Sequence, residues 1–172
     1  MKHIKKLLVP SSTVLIFCLL ILTGCEKSET ADKETITYLH DIPEREHYAS
    51  LPLMGTYWEF TGFADTRFGT VEIQSTFRRN RLTFVEDGSI NGIISPNQVG
   101  GNYIAKPLNK LNISRFALVT YIGVDQNDIH YIEAMKKVSS YKISAKGLLL
   151  YYGKNTFLLF QPYRPHFLGL FR

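Results

Sequence analysis

Hydrophobic positions repeat every second residue from about residue 55 onward, a pattern typical of half-buried β-strands. Trp58 and Phe60 would face a core while Tyr57 faces solvent. A further short strand is expected at 71–74. The first part of the folded body is therefore predicted to be β-sheet.

A hairpin is predicted around Asp87 and Gly88. Leu82 and Phe84 alternate with polar neighbours and would point inward. Asp87-Gly88 would form a two-residue turn, because both residues tolerate positive φ, before a return strand at 90–94.

Turn residues divide the rest of the chain. Residues 95–102 are rich in asparagine and glycine and include a proline, which predicts an irregular turn. Short strands are expected afterwards at 103–105, 111–113, 140–144, 148–152 and 156–161.

One segment changes its period. Apolar residues at steps of three would line one face of a helix over 127–138: Ile129, Ile132, Met135 and Val138. Asp125 or Asn127 would cap its start, and Lys136 and Lys137 suit the dipole at its end. Together these elements predict an α+β fold, a small, mostly antiparallel β-sheet or partial barrel with one principal helix.

The start of the chain has the pattern of a lipoprotein signal peptide. Residues 1–6 carry three lysines and no acidic residue, and an apolar run at 14–22 is too short to span a bilayer comfortably. The sequence Leu22, Thr23 and Gly24 would be recognised by lipoprotein signal peptidase, and Cys25 supplies the thiol for acylation. A leader cut by ordinary signal peptidase, or an uncleaved anchor, is the alternative, although an Ala-x-Ala site is missing.

We therefore expect residues 1–24 to be removed and Cys25 to carry the lipid, with palmitate among its acyl chains. Two chains on one cysteine give stable attachment where a single chain would be marginal. The predicted location is the cell envelope, with the outer membrane favoured over the inner. Since Cys18 belongs to the leader and Cys25 is acylated, we expect no intramolecular disulfide.

Residues 25–50 are predicted to be a flexible acidic tether, and 51–172 to be one folded domain with an apolar C-terminal tail. Seven acidic and three basic side chains lie in 26–50, which suits a solvated spacer. The net charge of +5 falls to +2 without the three leader lysines, so overall charge indicates no particular partner. The tail is expected to dock on the domain through its apolar residues: Phe167, Leu168, Leu170 and Phe171.

A series of motif residues between 53 and 162 follows the order of a known domain family: Gly55, Thr56, Trp58, Phe60, Phe84, Asp87, Gly88, Gly92, Asn97, Gly101, Tyr103, Glu133, Tyr141, Ile143, Leu148, Leu150, Phe160 and Pro162. In this order the chain resembles the META/HslJ-like domain family. The resemblance implies an exported lipoprotein or envelope protein, in some members linked to heat shock or drug tolerance, without an established catalytic activity. Many members have two cysteines where this chain has Pro96 and Val124, so it further implies that packing replaces a disulfide here.

Residues suited to catalysis or metal binding are few. His130 and Glu133 lie three apart on the predicted helix, but two ligands do not make a metal site. Two more pairs lie in the tether, where flexible groups bind metal weakly: His40 with Asp41, and Glu46 with His47. We therefore assign no catalytic residue, no metal ligand and no cofactor.

Arg78, Arg79 and Arg81 are predicted to crowd one loop. Arginine presents a planar fork to phosphate, sulfated sugars or lipid headgroups, so the loop is a candidate anion site, with a solvated loop as the simpler interpretation. The three arginines have no interleaved aromatic residue on which bases could stack, and we expect no nucleic-acid partner.

These features predict a non-enzymatic, lipid-anchored envelope protein that binds a protein partner or supports envelope integrity under stress. The alternative is a small-ligand or glycan-binding module. A hydrolase is disfavoured because no nucleophile, base and orienting group can be named. A deep cleft with convergent polar groups would favour the ligand, and a shallow apolar patch the protein partner.

Overall fold

Antiparallel strands form one continuous sheet in the computed structural model of the protein, which describes residues 35–73 and 79–163. The strands within these ranges are β1 (Thr35–Tyr38), β2 (Tyr57–Asp65), β3 (Thr70–Ile73), β4 (Arg81–Phe84), β5 (Ser89–Ile94), β6 (Asn97–Lys106), β7 (Lys110–Leu118), β8 (Ser140–Ser144), β9 (Gly147–Tyr151) and β10 (Thr156–Pro162). Helix α1 spans Gln126–Lys136, and two short 3-10 helices span Leu39–Asp41 and Glu46–Tyr48.

The strands are arranged in the order β1-β3-β2-β10-β9-β8-β7-β6-β5-β4. Strand β2 also pairs with β4, which makes the sheet partly ring-like. It is not a closed barrel, because the described pairing of β7 with β8 is limited to Lys110 and Ser140. The predicted α+β class, with a mostly antiparallel sheet and one principal helix among the described elements, is confirmed.

The main core lies on one face of this sheet. Trp58, Phe60 and Phe84 are buried there, whereas Tyr57 is 62% exposed, as the alternation predicted. The indole N–H of Trp58 donates to the carbonyl of Leu53 at 3.1 Å, so the one polar atom of this buried ring is satisfied.

The β4–β5 hairpin is confirmed, but its connection is longer than predicted. Four residues, 85–88, join the strands, and the Gly88 N–H donates to the carbonyl of Val85 at 3.1 Å. Gly88 has a φ of +85°, which glycine adopts at little cost. Because positive φ occurs at Gly88 and not at Asp87, the predicted two-residue turn is wrong.

Residues 97–102 belong to β6, so the irregular turn predicted at 95–102 is wrong. They pair residue by residue with β5, and the turn is reduced to two residues. A Cβ on Gly101 would lie 3.0 Å from the Cα of Phe116. The glycine that suggested a turn therefore permits a close approach of neighbouring strands.

Helix α1 is capped by Asp125, and three of the four residues of the predicted apolar stripe are buried: Ile132, Met135 and Val138. The Asp125 carboxylate accepts from the Asp128 N–H at 3.0 Å, and the Asp128 carboxylate accepts from the Asp125 N–H at 3.2 Å. The buried residues of the helix are Asp128, Tyr131, Ile132, Ala134 and Met135. Ile129 is 45% exposed, because a true helical period of 3.6 carries it away from that face.

A second core lies on the opposite face of β2, β3, β9 and β10, and residues 35–50 cover it. Strands β8, β9 and β10 lie almost where the sequence predicted them. Strands β9 and β10 are apolar on both faces, so each face requires a core. The residues of this core are Ile42, Ala64, Val71, Leu149, Phe157 and Leu159.

The predicted flexible tether over 25–50 is therefore wrong for its second half. Strand β1 pairs with β3 over four residues, and Ile42 and Tyr48 are buried. The Arg45 N–H donates to the carbonyl of Ala145 at 2.7 Å, and Glu44 lies 2.9 Å from the ammonium of Lys146. The apolar outer face of β9 and β10 requires a cover, and this segment provides it.

Several predicted features lie outside the described residues: Leu22, Thr23, Gly24, Cys25, Arg78 and the apolar tail at 167–171. Within residues 35–73 and 79–163, the helices are all too short or too polar to cross a membrane.

Candidate functional site

His130 and Glu133, the pair on the helix, do not act together in the structure. The ring of His130 stacks on Phe63, with 4.2 Å between ring centroids and an interplanar angle of 4°. Glu133 instead accepts a hydrogen bond from Lys136 at 2.8 Å, and this bond lowers the pKa of the Glu133 carboxyl below its usual value. The two side chains therefore have separate partners, and both are exposed.

The pairs in residues 40–47 are also engaged locally. His40 lies 3.4 Å from the Asp41 carboxylate and stacks on Tyr38, and His47 packs edge-on against Tyr48. Across the described ranges, His, Cys, Asp and Glu nowhere form a group of three or more that could hold a metal ion.

The arginine loop is divided between different environments, so the predicted cluster is wrong for Arg81. Arg81 is the first residue of β4, and its guanidinium lies over the ring of Tyr163 at 4.0 Å from the centroid. Its Nε is buried and forms no hydrogen bond within the described part of the chain. Arg79 is exposed outside the strand, and Arg78 is not described. The alternation that buries Leu82 directs Arg81 to the outer face of the sheet.

That outer face, turned away from the main core, carries an open groove of about 620 Å³. Thr83 pairs with Tyr57 on one side and Asn91 on the other, and Asn91 pairs in turn with Gly100. These four residues form a row across β2, β4, β5 and β6. The lining of the groove also includes Ile93, Gln98, Arg81 and Val119.

The floor of the groove is open at Gly100. A Cβ built there would meet its nearest neighbours, the carbonyl oxygen of Ile90 and a methyl group of Val119, at 3.7 Å, which is ordinary contact. No close neighbour requires glycine at position 100, so a larger side chain there would occupy the floor of the groove. Among the described residues of the lining, Arg81 is the only charged one, so this part of the groove mixes hydrogen-bonding and apolar surface with one positive charge.

An apolar loop continues the groove beyond β7. Val119, Tyr121 and Ile122 are 63%, 74% and 60% exposed. Exposed aromatic and branched side chains in one short segment are typical of protein interaction sites. We call Val119–Ile122 the rim loop.

The rim loop is fixed by the fully buried side chain of Asn97. The Asn97 amide donates to the carbonyl of Ile122 at 2.8 Å, and its oxygen accepts from the Ile122 N–H at 2.6 Å. Thr120 supports the same junction, since its hydroxyl accepts from the Gln98 N–H at 2.9 Å. These hydrogen bonds fix the backbone of the rim loop, so its apolar side chains are held outward.

This junction lies beside Pro96 and Val124, the two positions at which the predicted family resemblance would place cysteines. Asn97 follows the first and Ile122 precedes the second by two residues, so hydrogen bonds join the same two segments here. Sequence inspection found Asn97 only as a motif residue. Its role depends on a partner 25 residues away, which no local pattern reveals.

The side chains that line the groove can bind a ligand or a peptide segment through hydrogen bonds and apolar contacts. Its hydrogen-bonding side chains belong to Thr83, Asn91 and Gln98, and its apolar contacts to Tyr57 and Val119. Such a surface can hold an extended segment by alternating polar and apolar contacts.

No protein-family model matches the sequence, and no curated protein matches it. Two solved structures are similar in fold. A DUF4847 family protein from Bacteroides vulgatus is 17% identical with a TM-score of 0.50, over 63% of this chain and 93% of that one. A protein from Burkholderia xenovorans, solved by NMR, is 16% identical with a TM-score of 0.52, over 70% of this chain and 90% of that one. At these identities the likeness shows the fold alone, and the META/HslJ-like resemblance stays a prediction.

Proposed function

We propose that the protein is a non-enzymatic, lipid-anchored envelope protein that binds a partner protein through the groove and the rim loop. The observation that carries this proposal is the rim loop, in which Tyr121 and Ile122 are exposed yet held in place by Asn97. Rigid, exposed aromatic and aliphatic side chains supply contact area at a small entropic cost, which is how binding hot spots form.

The lipid anchor is supported by the sequence around Cys25. Replacing Cys25 by Ser should abolish lipid labelling and either release the protein from membrane fractions or leave it unprocessed. Replacing Cys18 by Ser is the matched control and should change neither result, because that residue lies in the leader. A Cys25→Ser protein that is processed and still partitions into detergent would refute the anchor.

Site-specific photocrosslinking tests the binding surface. A photoreactive amino acid at position 121 should crosslink to a protein in intact envelopes, whereas the same group at exposed position 154, in the β9–β10 turn, should not. Gly100→Leu should fill the groove floor and reduce the crosslink without loss of folding, because a Cβ fits there.

The polar side chains of the groove support the alternative function, a small-ligand or glycan-binding module. Two results together would support that alternative. Position 121 would yield no protein crosslink, and an envelope extract freed of protein would raise the melting temperature of the unsubstituted chain but not of Gly100→Leu. Equal crosslinks from positions 121 and 154 would refute the proposed binding surface.

A further inference from the structure

The tip of the β6–β7 hairpin carries an unusually exposed leucine. Leu108 is 90% exposed, the highest value for a large hydrophobic residue in residues 35–73 and 79–163. Its φ is +63°, and that of Asn109 is +55°. Asparagine and glycine tolerate this left-handed conformation, whereas leucine is disfavoured there. Neither folding nor local geometry accounts for leucine at this position.

Lysines flank the tip. Lys106 and Lys110 are directly paired across the two strands, so their side chains lie on the same face of the hairpin. Like charges at paired positions repel, and neither lysine has an ion-pair partner among the described residues. Ile104, on the same face two residues before Lys106, is 58% exposed. The surface thus combines apolar side chains with unneutralised positive charge.

Two more lysines approach the tip through β8. Ser140 pairs with Lys110, and the Tyr141 N–H donates to the carbonyl of Asn109 at 2.9 Å. This pairing brings Lys142, on the same outward face as Ser140, and Lys137, at the end of α1, toward the hairpin. Both are exposed. Acidic residues of neighbouring segments are engaged elsewhere, since Glu133 pairs with Lys136 and Glu44 with Lys146.

We propose that this lysine tip, formed by Lys106, Leu108, Lys110, Lys137 and Lys142, binds the surface of an anionic lipid bilayer. Leu108 would enter the boundary between headgroups and acyl chains, and the lysines would contact lipid phosphates with their stems along the apolar layer. A polyanion or an acidic protein surface would attract the same charges but would not require an exposed leucine. The combination favours lipid.

The lysine tip goes beyond the proposed partner binding, and its test does not depend on acylation. The full chain with Cys25→Ser is incubated with vesicles of phosphatidylcholine alone, or of phosphatidylcholine and phosphatidylglycerol in equal amounts. Bound protein is measured by sedimentation at low and at high salt. Every variant carries the same leader, so any binding by that segment is common to all of them.

Lys106→Ser with Lys110→Ser should weaken binding to the anionic vesicles about 25-fold, because each lysine near such a surface contributes about fivefold. Lys154→Ser, in the β9–β10 turn, is the matched control and should have little effect. High salt should weaken binding of the unsubstituted chain more than binding of the double variant, which keeps Lys137 and Lys142.

Leu108→Asn separates binding from folding. Asparagine suits the left-handed backbone, so thermal stability should be equal or higher, yet binding should fall about tenfold because the inserted side chain is lost. The proposal is overturned if all variants bind alike, if neutral vesicles bind as well as anionic ones, or if Leu108→Asn binds like the unsubstituted leucine. The last result would indicate simple attraction to any polyanion. If only the anchor proposal is wrong, the unsubstituted protein will show no lipid label at Cys25, while the Cys25→Ser chain will still bind anionic vesicles.

Discussion

The side chain of Asn97 forms two hydrogen bonds with the backbone of Ile122, donating to the carbonyl at 2.8 Å and accepting from the N–H at 2.6 Å. Asn97 is the first residue of β6, and Ile122 lies beyond the end of β7. One buried amide therefore determines where the exposed side chains of the rim loop are placed.

Replacing Asn97 by Ala should reduce the free energy of unfolding by about 1–3 kcal/mol, because both backbone groups of Ile122 lose their partner. Asn91→Ala, which removes an exposed amide in the groove, should stay within about 0.5 kcal/mol. Chemical denaturation measures both changes, and hydrogen exchange at the Ile122 amide should accelerate only in the first variant. Equal stabilities would contradict the structural role of Asn97.

Ile42→Ala should destabilise the protein by about 2–5 kcal/mol, because Ile42 fills the second core beneath the segment 35–50. Ile36, in the same segment, is 70% exposed, and Ile36→Ala should cost no more than about 0.5 kcal/mol. Thermal melting of the two variants compares them directly. If Ile42→Ala melts like the unsubstituted protein, residues 35–50 do not contribute to the fold.

Trp58→Ala and Phe84→Ala should each cost about 3–5 kcal/mol, since both aromatic side chains are completely buried. Tyr57→Ala alters an exposed neighbour of Trp58 and should cost much less. Urea denaturation gives the three values. Similar losses at positions 57 and 58 would show that the facing of β2 is wrong.

Helix α1 offers a pair of substitutions at residues that differ in burial. Met135→Ala should cost about 2–5 kcal/mol because its side chain is buried in the main core. Ile129→Ala should have a small effect, since alanine also favours helix and the isoleucine is partly exposed. Equally large losses at positions 129 and 135 in melting curves would show that the helix buries the whole stripe at steps of three.

The Asp65 carboxyl should titrate below its ordinary pKa, chiefly because the Arg67 side chain donates hydrogen bonds to it. A carboxyl whose pKa is lower when folded adds stability above its unfolded pKa, and that stability is lost as pH falls through the folded pKa. NMR titration should show the Asp65 pKa rising toward its usual value in Arg67→Ala. An unchanged titration would exclude the hydrogen bond as the cause.

Local patterns predicted the parts of the fold that depend on neighbouring residues. The strands after residue 140 are bounded by clear turns, and Trp58 and Phe84 alternate with polar residues, so their facing followed directly. Residues 97–102 were misassigned because Gly101 is required by Phe116 of the adjacent strand. Strand β1 was missed although its four residues favour strands, because it lies within a segment that is otherwise polar and acidic.

The candidate site was beyond sequence reasoning for a related reason. The groove combines Tyr57, Thr83, Asn91 and Gly100 from four strands, and their alignment depends on strand register and order. The lysine tip arises similarly, since Lys110 and Lys142 meet only when β8 pairs with β7. The arginines were noticed because they are adjacent in sequence, yet alternation sends Arg81 to another surface.

The folding of residues 35–50 onto the domain also limits how far the protein can act. A tether ending at residue 50 could reach at most about 90 Å, whereas the ten peptide units that join Cys25 to Thr35 could reach at most about 35 Å. With Cys25 acylated as proposed, the domain would stay close to the membrane surface and would diffuse laterally in two dimensions. The partner of the groove should then be a protein of the same membrane, met by lateral diffusion.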